Sequence, residues 1–369
     1  MHTGKAIALD PFEMENPNAI IVGSPGGGKS FWMKDAIEQY VLDGARVFVL
    51  DIEDEYRLLC DDLGGAYLDM GSDSEHKINV LDVDPDDPEG LTGAFESFAG
   101  WIVSVLRREL SAEEEQMLDK AYRNAFAAKG FDRAQRHTLA NEAPLLSDLY
   151  DALMSLRGSE INAEHAIRLA SAIDPMAHGL EAEAFNCRTN IDVRSNPFVV
   201  FGLSSVKEQM MPRRIRQIQQ FTWNQMTRSN RTIEIVDEAW WLLHNPATAA
   251  DLAARVRRFR KKNSAIFIAT QHVKDFASNE HAHAVLGLVG TQMLFQQNAI
   301  SLKDVTKTFE LNEAEAGCVA DLRQGHYLLK TNRLSMVMHN PCRLRAMPST
   351  PPSPPSGCGA GSPQGSSHA

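Results

Sequence analysis

An α/β fold with a mostly parallel central sheet is predicted by three features of this 369-residue chain. The short apolar run Ala19-Ile20-Ile21-Val22 leads straight into a glycine-rich turn, Gly23 to Gly28. A helical pattern and a second apolar run, Arg46 to Leu50, follow at once. Strand, loop, helix and strand in that order make a βαβ unit, whose two strands lie parallel. Farther on, the runs Ile233 to Val236 and Ala265 to Thr270 end in Asp237-Glu238 and Gln271. Open α/β sheets bind ligands beyond the carboxyl ends of their strands, so these polar termini are where chemistry is expected.

The turn itself reads Gly23-Ser24-Pro25-Gly26-Gly27-Gly28-Lys29-Ser30, the G-x-x-x-x-G-K-S spacing of a phosphate-binding loop. Glycines suit it because backbone N–H groups must close around phosphate oxygens at φ values that a Cβ obstructs. The helix opening at Lys29 aims its positive end at the same anion. Residues 23 to 30 together with Phe31 are therefore expected to hold ATP. Lys29 would reach the β- and γ-phosphates, and the Ser30 hydroxyl would ligate Mg²⁺.

In chain order, Met33, Ile37, Tyr40 and Val41 share one helical face, with Gly44 as the stop. The acidic cluster Asp51 to Tyr56 sits at the end of the second strand. A short strand is expected at Ala66 to Met70, followed by a loop to Ile78-Asn79-Val80-Leu81-Asp82. From about Leu91 to Ala184 the texture is amphipathic and helical, in Phe95 to Leu106, Ser111 to Ala127 and Leu145 to Leu156. Ser111 and Glu114 have capping-box spacing. Strands return at Pro197 to Leu203, Thr232 to Val236, Ala265 to Thr270, Gln292 to Phe295, Tyr327 to Lys330 and Ser335 to Met338. Helices are expected at Pro212 to Arg228 and Thr248 to Arg260. The organisation read from this is a first core segment over 1–90, an all-helical insertion over 91–184, and a second core segment over 185–345. A Pro/Ser/Gly-rich tail over 346–369 cannot bury apolar surface and is expected to be disordered.

Composition fits a globular domain, with 43% hydrophobic and 23% charged residues. A net charge of −11 argues against whole-surface nucleic-acid binding and leaves room for a local basic strip. Five cysteines without a C-x-x-C pair read as reduced intracellular thiols. No apolar run approaches the roughly 20 residues that cross a bilayer. The first residues lack a signal-peptide apolar region, so a cytoplasmic location is expected.

Four further groups carry the chemical reading. Asp237 can hold Mg²⁺ through its water shell, and Glu238 beside it can orient and deprotonate an attacking water. Gln271 can touch the γ-phosphate or that water. Arg255, Arg257, Arg258, Arg260, Lys261 and Lys262 form a basic run in which Arg255, Arg258 and Lys262 fall at i, i+3, i+7. A solvated helix face, a nucleic-acid contact and an arginine finger into a neighbouring subunit all fit such a run, with Arg260 the finger candidate. Glu53 and Glu55 fit either water or Mg²⁺ assistance or a helix N-terminal charge. His281 and His283 read as surface histidines, Met210 and Met211 as packing, and Trp240 and Trp241 as one core and one interface ring.

These segments, in this order, resemble the motor half of the conjugative-transfer ATPases of type IV secretion systems, within the FtsK–HerA superfamily. The resemblance rests on Pro17 to Ser30, Val49 to Tyr56, Lys77 to Asp82, Phe185 to Asp192, Ile235 to Leu243, Arg260 to Asn263 and Ala269 to Gln271. It implies a RecA-like core with a helical insertion and homo-hexameric rings. It also implies peripheral attachment to inner-membrane channel components of the secretion system, with DNA as a further candidate partner. By position Gly28, Lys29 and Ser30 match the first motif, Asp237 and Glu238 the second, Gln271 the sensor, and Arg260 the arginine contributed between subunits. The family carries a large channel-docking domain ahead of the motor, where this chain has a short lead. Asn79-Val80 stands where Asn-Pro is common. The resulting expectation is an ATP-hydrolysing motor for conjugative transfer or secretion. A DNA-translocating ring and a slowly hydrolysing assembly switch are its alternatives.

Overall fold

A computed structural model describes residues 10–86, 89–132, 134–158, 162–227 and 229–340. The tail expected to be disordered, 346–369, lies outside the described residues. The first part of the chain runs β1 (Ala19–Val22), α1 (Lys29–Leu42), β2 (Arg46–Asp51), α2 (Arg57–Asp62) and β3 (Ala66–Asp69). Five helices follow: α3 (Leu91–Leu106), α4 (Ala112–Ala128), α5 (Leu146–Ser155), α6 (Ala163–Ala177) and α7 (Ala182–Phe185). Then come β4 (Phe198–Gly202), α8 (Met211–Gln225), β5 (Thr232–Val236), α9 (Trp240–Leu243), α10 (Pro246–Phe259) and β6 (Ser264–Thr270). The chain closes with α11 (Glu280–Leu286), β7 (Thr291–Phe295), α12 (Ala299–Thr308), α13 (Glu313–Ala320), β8 (His326–Thr331) and β9 (Ser335–His339).

The strands form one nine-stranded sheet in the order β3-β4-β2-β5-β6-β1-β7-β8-β9. From β3 to β7 every pairing is parallel, and β8 and β9 add an antiparallel edge. The strands β1, β4, β5 and β6 are buried along their whole length, as strands covered on both faces must be. Alternation divides the side chains: Ile21, Val49, Ile235 and Phe267 pack with Met33 and Ile37 of α1. Ile20, Phe48, Phe201 and Ile268 pack on the other face with α8 and α10. Phe98, Trp101, Leu118, Leu149, Leu169 and Phe185, from α3 to α7, join that second cluster, so the helical stretch and the sheet share a continuous core.

Helix α8 is the bracket between them, and its burial of polar groups has a specific cause. Gln217 Nε2 donates to the Ile78 carbonyl at 2.6 Å, and Gln220 Nε2 donates to the Val80 carbonyl at 2.8 Å. Arg214 Nη1 reaches the Ala184 carbonyl at 3.0 Å. The segment 77–82 thus satisfies its backbone through side chains, which is why it is not a strand. Helix α8 stops at Gln225, short of the expected Arg228, and α10 starts earlier than Thr248 because the Asn245 side chain caps it at Ala247. The Ser111 capping box of α4 is present in both directions.

Beneath α8, Glu234 on the central strand β5 is fully buried. It accepts from Thr222 and from Gln219 Nε2 at 3.3 Å, and faces buried Arg255 at 3.5 Å. Removing one member of a buried pair leaves the other uncompensated. Glu234→Ala is therefore expected to lower unfolding free energy by about 3 kcal/mol. Urea denaturation is the check, and a loss below roughly 1 kcal/mol would contradict this structural role.

Candidate nucleotide site

Residues 23–28 join β1 to α1 along the carboxyl edge of the parallel strands. Gly26 (φ +79°) and Gly28 (φ +105°) occupy left-handed backbone, and Gly28 caps α1. A Cβ on Gly23 would lie 2.7 Å from that of Phe295, so a side chain there has no room. The loop is tied to its neighbours through the backbone. Ser24 N donates to the Gln296 carbonyl at 3.1 Å, and Gly325 N reaches the Gly27 carbonyl at 3.5 Å. Its shape is thus imposed by β7 and β8, while α1 supplies the positive helix end. Ser24, Gly28 and Ser30 are half-exposed around Lys29, and Pro25, Gly26 and Phe31 are exposed.

Lys29 is itself buried, at 6% exposure, and lies against the tip of β5. Its Nζ donates to Asp237 Oδ1 at 2.6 Å and to Glu238 Oε1 at 3.3 Å. Burial alone would pull the ammonium down, but the two carboxylates outweigh it and hold Lys29 above its ordinary value. Gln271, at the tip of β6, donates from Nε2 to the same Glu238 oxygen at 2.7 Å. The phosphate loop and both polar strand tips therefore converge on Glu238. Glu238 holds a left-handed backbone (φ +53°), unusual for a residue with a Cβ, and its N–H donates to Asp237 Oδ1 at 3.0 Å. That turn swings the carboxylate back over the sheet edge toward Lys29.

Tyr56 is the participant that the residue types did not reveal. Fully buried, it donates from its hydroxyl to Asp237 Oδ2 at 2.9 Å. The Asp51 carboxylate accepts from Tyr56 N at 3.0 Å and Glu55 N at 2.9 Å, and so shapes the loop that delivers it. Burial and then Asp237 push the Tyr56 hydroxyl well above its ordinary range, keeping it a donor. Glu55 pairs loosely with Lys34 at 3.9 Å. Glu53 stays at the exposed rim, where partial burial and then Glu238 raise its carboxyl. A hydroxyl at Ser30 and the Asp237 carboxylate form a hard-oxygen donor set that suits Mg²⁺, which keeps much of its water shell.

The basic run divides in two. Arg255 is buried and donates to the Gln219 carbonyl at 3.0 Å. Arg258 bridges Glu89 at 3.1 Å and Glu96 at 3.4 Å, and Lys262 Nζ donates to the Trp223 carbonyl at 2.9 Å. The i, i+3, i+7 stripe thus packs inward on Trp223 of α8, which corrects both the solvated-face and the nucleic-acid readings for those three residues. Arg257, Arg260 and Lys261 remain exposed. Arg260 lies ahead of β6, at the opposite edge of the sheet from Gln271. The seven-residue strand between them puts the two about 20 Å apart. Arg257 and Arg260 line a cleft of about 560 Å³ there. Trp240 and Trp241 stack at 4.1 Å and are both half-exposed, not one buried and one free, because the single turn of α9 keeps both at the sheet edge. Met210 and Met211 are buried, His281 is half-exposed and His283 exposed.

Tyr56→Phe would leave Asp237 Oδ2 without its buried donor. A loss of about 1.5–3 kcal/mol in unfolding free energy is expected, the range for a hydrogen bond to a charged group. An unchanged thermal midpoint would remove Tyr56 from the support of this site.

Known proteins share this fold. The TraG P-loop domain model matches residues 7–328. The solved VirB4 of Thermoanaerobacter pseudethanolicus superposes with a TM-score of 0.78 at 25% identity, covering 93% of this chain and 95% of that one. Plasmid coupling protein TrwB, in complex with ADP and Mg²⁺, shares the fold at a TM-score of 0.57 and 13% identity, over 89% of this chain and 85% of TrwB. Among curated relatives, TraC of Escherichia coli K12 is 24% identical over 303 residues, 77% of this chain and 33% of TraC. Type IV secretion system protein VirB4 of Bartonella henselae is 28% identical over 110 residues, 29% of this chain and 14% of that protein. The aligned part is thus a third or less of each curated relative. Among the described residues no helix is long and apolar enough to cross a membrane. With its loop and sheet order in place, the chain belongs to the TraG P-loop domain family.

Proposed function

We propose that this chain is an ATP-hydrolysing motor that energises conjugative transfer or type IV secretion. The observation that carries the reading is the meeting of Lys29 Nζ and Gln271 Nε2 on one oxygen of Glu238, at 3.3 and 2.7 Å. A protein that only binds nucleotide needs the loop and Lys29. It does not need a carboxylate held by a strained turn between the loop and an amide on the next strand.

In this reading the loop backbone and Lys29 bind the β- and γ-phosphates of ATP, and Ser30 with Asp237 holds Mg²⁺. Bound there, Mg²⁺ would neutralise charge on the phosphate oxygens. Glu238 takes a proton from the attacking water as its oxygen bonds to the γ-phosphorus and the bond to ADP breaks. Gln271 fixes Glu238 and the water. Tyr56 holds Asp237 from behind. Support for the nucleotide and the ion comes from TrwB, whose solved complex contains ADP and Mg²⁺. The name of VirB4, a type IV secretion system protein, supports the process.

Arg260 lies too far from Lys29 to serve its own site, which fits a finger offered to a neighbouring copy in a homo-hexameric ring. The ring would sit peripherally on inner-membrane components of the channel.

Equilibrium ATP binding and steady-state phosphate release separate the roles. Lys29→Ala is expected to lose both. Glu238→Gln is expected to keep binding and lose at least about a hundredfold in turnover, the scale of a positioned general base. Wild-type turnover in Glu238→Gln would overturn the hydrolytic assignment.

Arg260→Ala is expected to lower turnover with little change in affinity. Mixing it with Glu238→Gln subunits should restore part of the activity, since each copy supplies what the other lacks. Absence of any recovery in the mixture would contradict a finger acting between copies.

A further inference from the structure

The nucleotide has two ends, and Glu238 and Gln271 account for one of them. They stand at the tips of β5 and β6, on one side of β1 in the strand order. A triphosphate whose γ end meets them runs along the loop toward the other side of β1, where β7, β8 and β9 lie. The loop is tied to that side through Gly325, whose N–H reaches the Gly27 carbonyl at 3.5 Å. The approach is close: a Cβ on Gly28 would lie 3.0 Å from Gly325 N. Gly325 directly precedes β8, and beside it two imidazoles form a cross-strand pair. His326 and His339 are register partners, their rings stacked at 4.3 Å and inclined by 25°. His339 Cδ2 lies 4.0 Å from the position of a Gly325 Cβ, so this ring roofs the glycine that touches the loop. The His339 residue is exposed on the edge strand, while His326 behind it is half-buried.

We propose that the stacked His326–His339 pair is the platform for the purine base of the bound nucleoside triphosphate. This rests on the nucleotide reading above and extends it from the phosphates to the base. The paired imidazoles present a flat π-face next to the phosphate loop, at the end of the site opposite the carboxylate. A Cβ on Gly325 would press on the Asn340 carbonyl at 3.3 Å, on the side where the His339 ring lies. The Gly325 φ of +78° also calls for glycine. Stacking on an aromatic face strengthens binding of a base about tenfold or more per contact.

The test compares ATP with inorganic tripolyphosphate, each with Mg²⁺, on the full chain. Dissociation constants are measured for wild type, His339→Ala, His326→Ala/His339→Ala and His339→Phe. The platform requires ATP affinity to fall about tenfold in the alanine variants, with tripolyphosphate affinity unchanged. His339→Phe, which keeps a ring, should bind ATP as wild type does. Unchanged ATP affinity in the alanine variants would overturn the platform, and so would an equal loss for both ligands, which marks damage to the loop. A wild-type chain that binds neither ligand would overturn the nucleotide reading itself, and the platform with it.

Discussion

A lysine ammonium buried between two carboxylates is the constraint on which the structure turns. Lys29 opens α1 just after the loop that follows β1, and Asp237 and Glu238 come from the tip of β5, two strands away in the sheet. A buried charge is tolerable only when its partners are placed well, and breaking such a pair costs several kcal/mol. Placement here depends on the parallel register of β1, β6 and β5, since a slip of one residue would move the carboxylates away from the loop. Each carboxylate has a second donor, Tyr56 on Asp237 and Gln271 on Glu238. The cluster is thus linked to the ends of β2, β5 and β6 together.

Much of this was legible in the sequence where the signal is local. The phosphate loop follows from glycine spacing between an apolar run and a helix. The strands β1 to β9 follow from apolar runs bounded by turn residues, and β5 and β6 already display Glu238 and Gln271 at their ends. What depends on distant contacts was not legible. Tyr56 looks like one more residue of an acidic turn until Asp237, 181 positions away, is seen to accept its hydroxyl. The basic stripe of α10 looks solvated because the ring it packs on, Trp223, belongs to another helix. The left-handed turn at Glu238 leaves no trace in residue type, since glycine or asparagine would have been the expected occupant.

The two edges of the sheet carry different charged groups. The carboxyl edge carries the acidic turn Asp51 to Glu55 and the Asp237-Glu238 pair, while at the opposite edge exposed Arg257, Arg260 and Arg333 share one cleft with exposed Glu13 and Glu15. The described helices from α3 to α7 share a core with one face of the sheet, joined to it through α8 and through the pairing of Glu96 on α3 with Arg258 on α10.

The most direct measurement is a structure of the full chain with Mg²⁺, ADP and aluminium fluoride, a mimic of the transferring phosphoryl group. The account requires the fluoride centre to be held by Lys29, with an in-line water contacting Glu238 and Gln271. A centre seated away from Lys29, or a water approached by neither Glu238 nor Gln271, would contradict it.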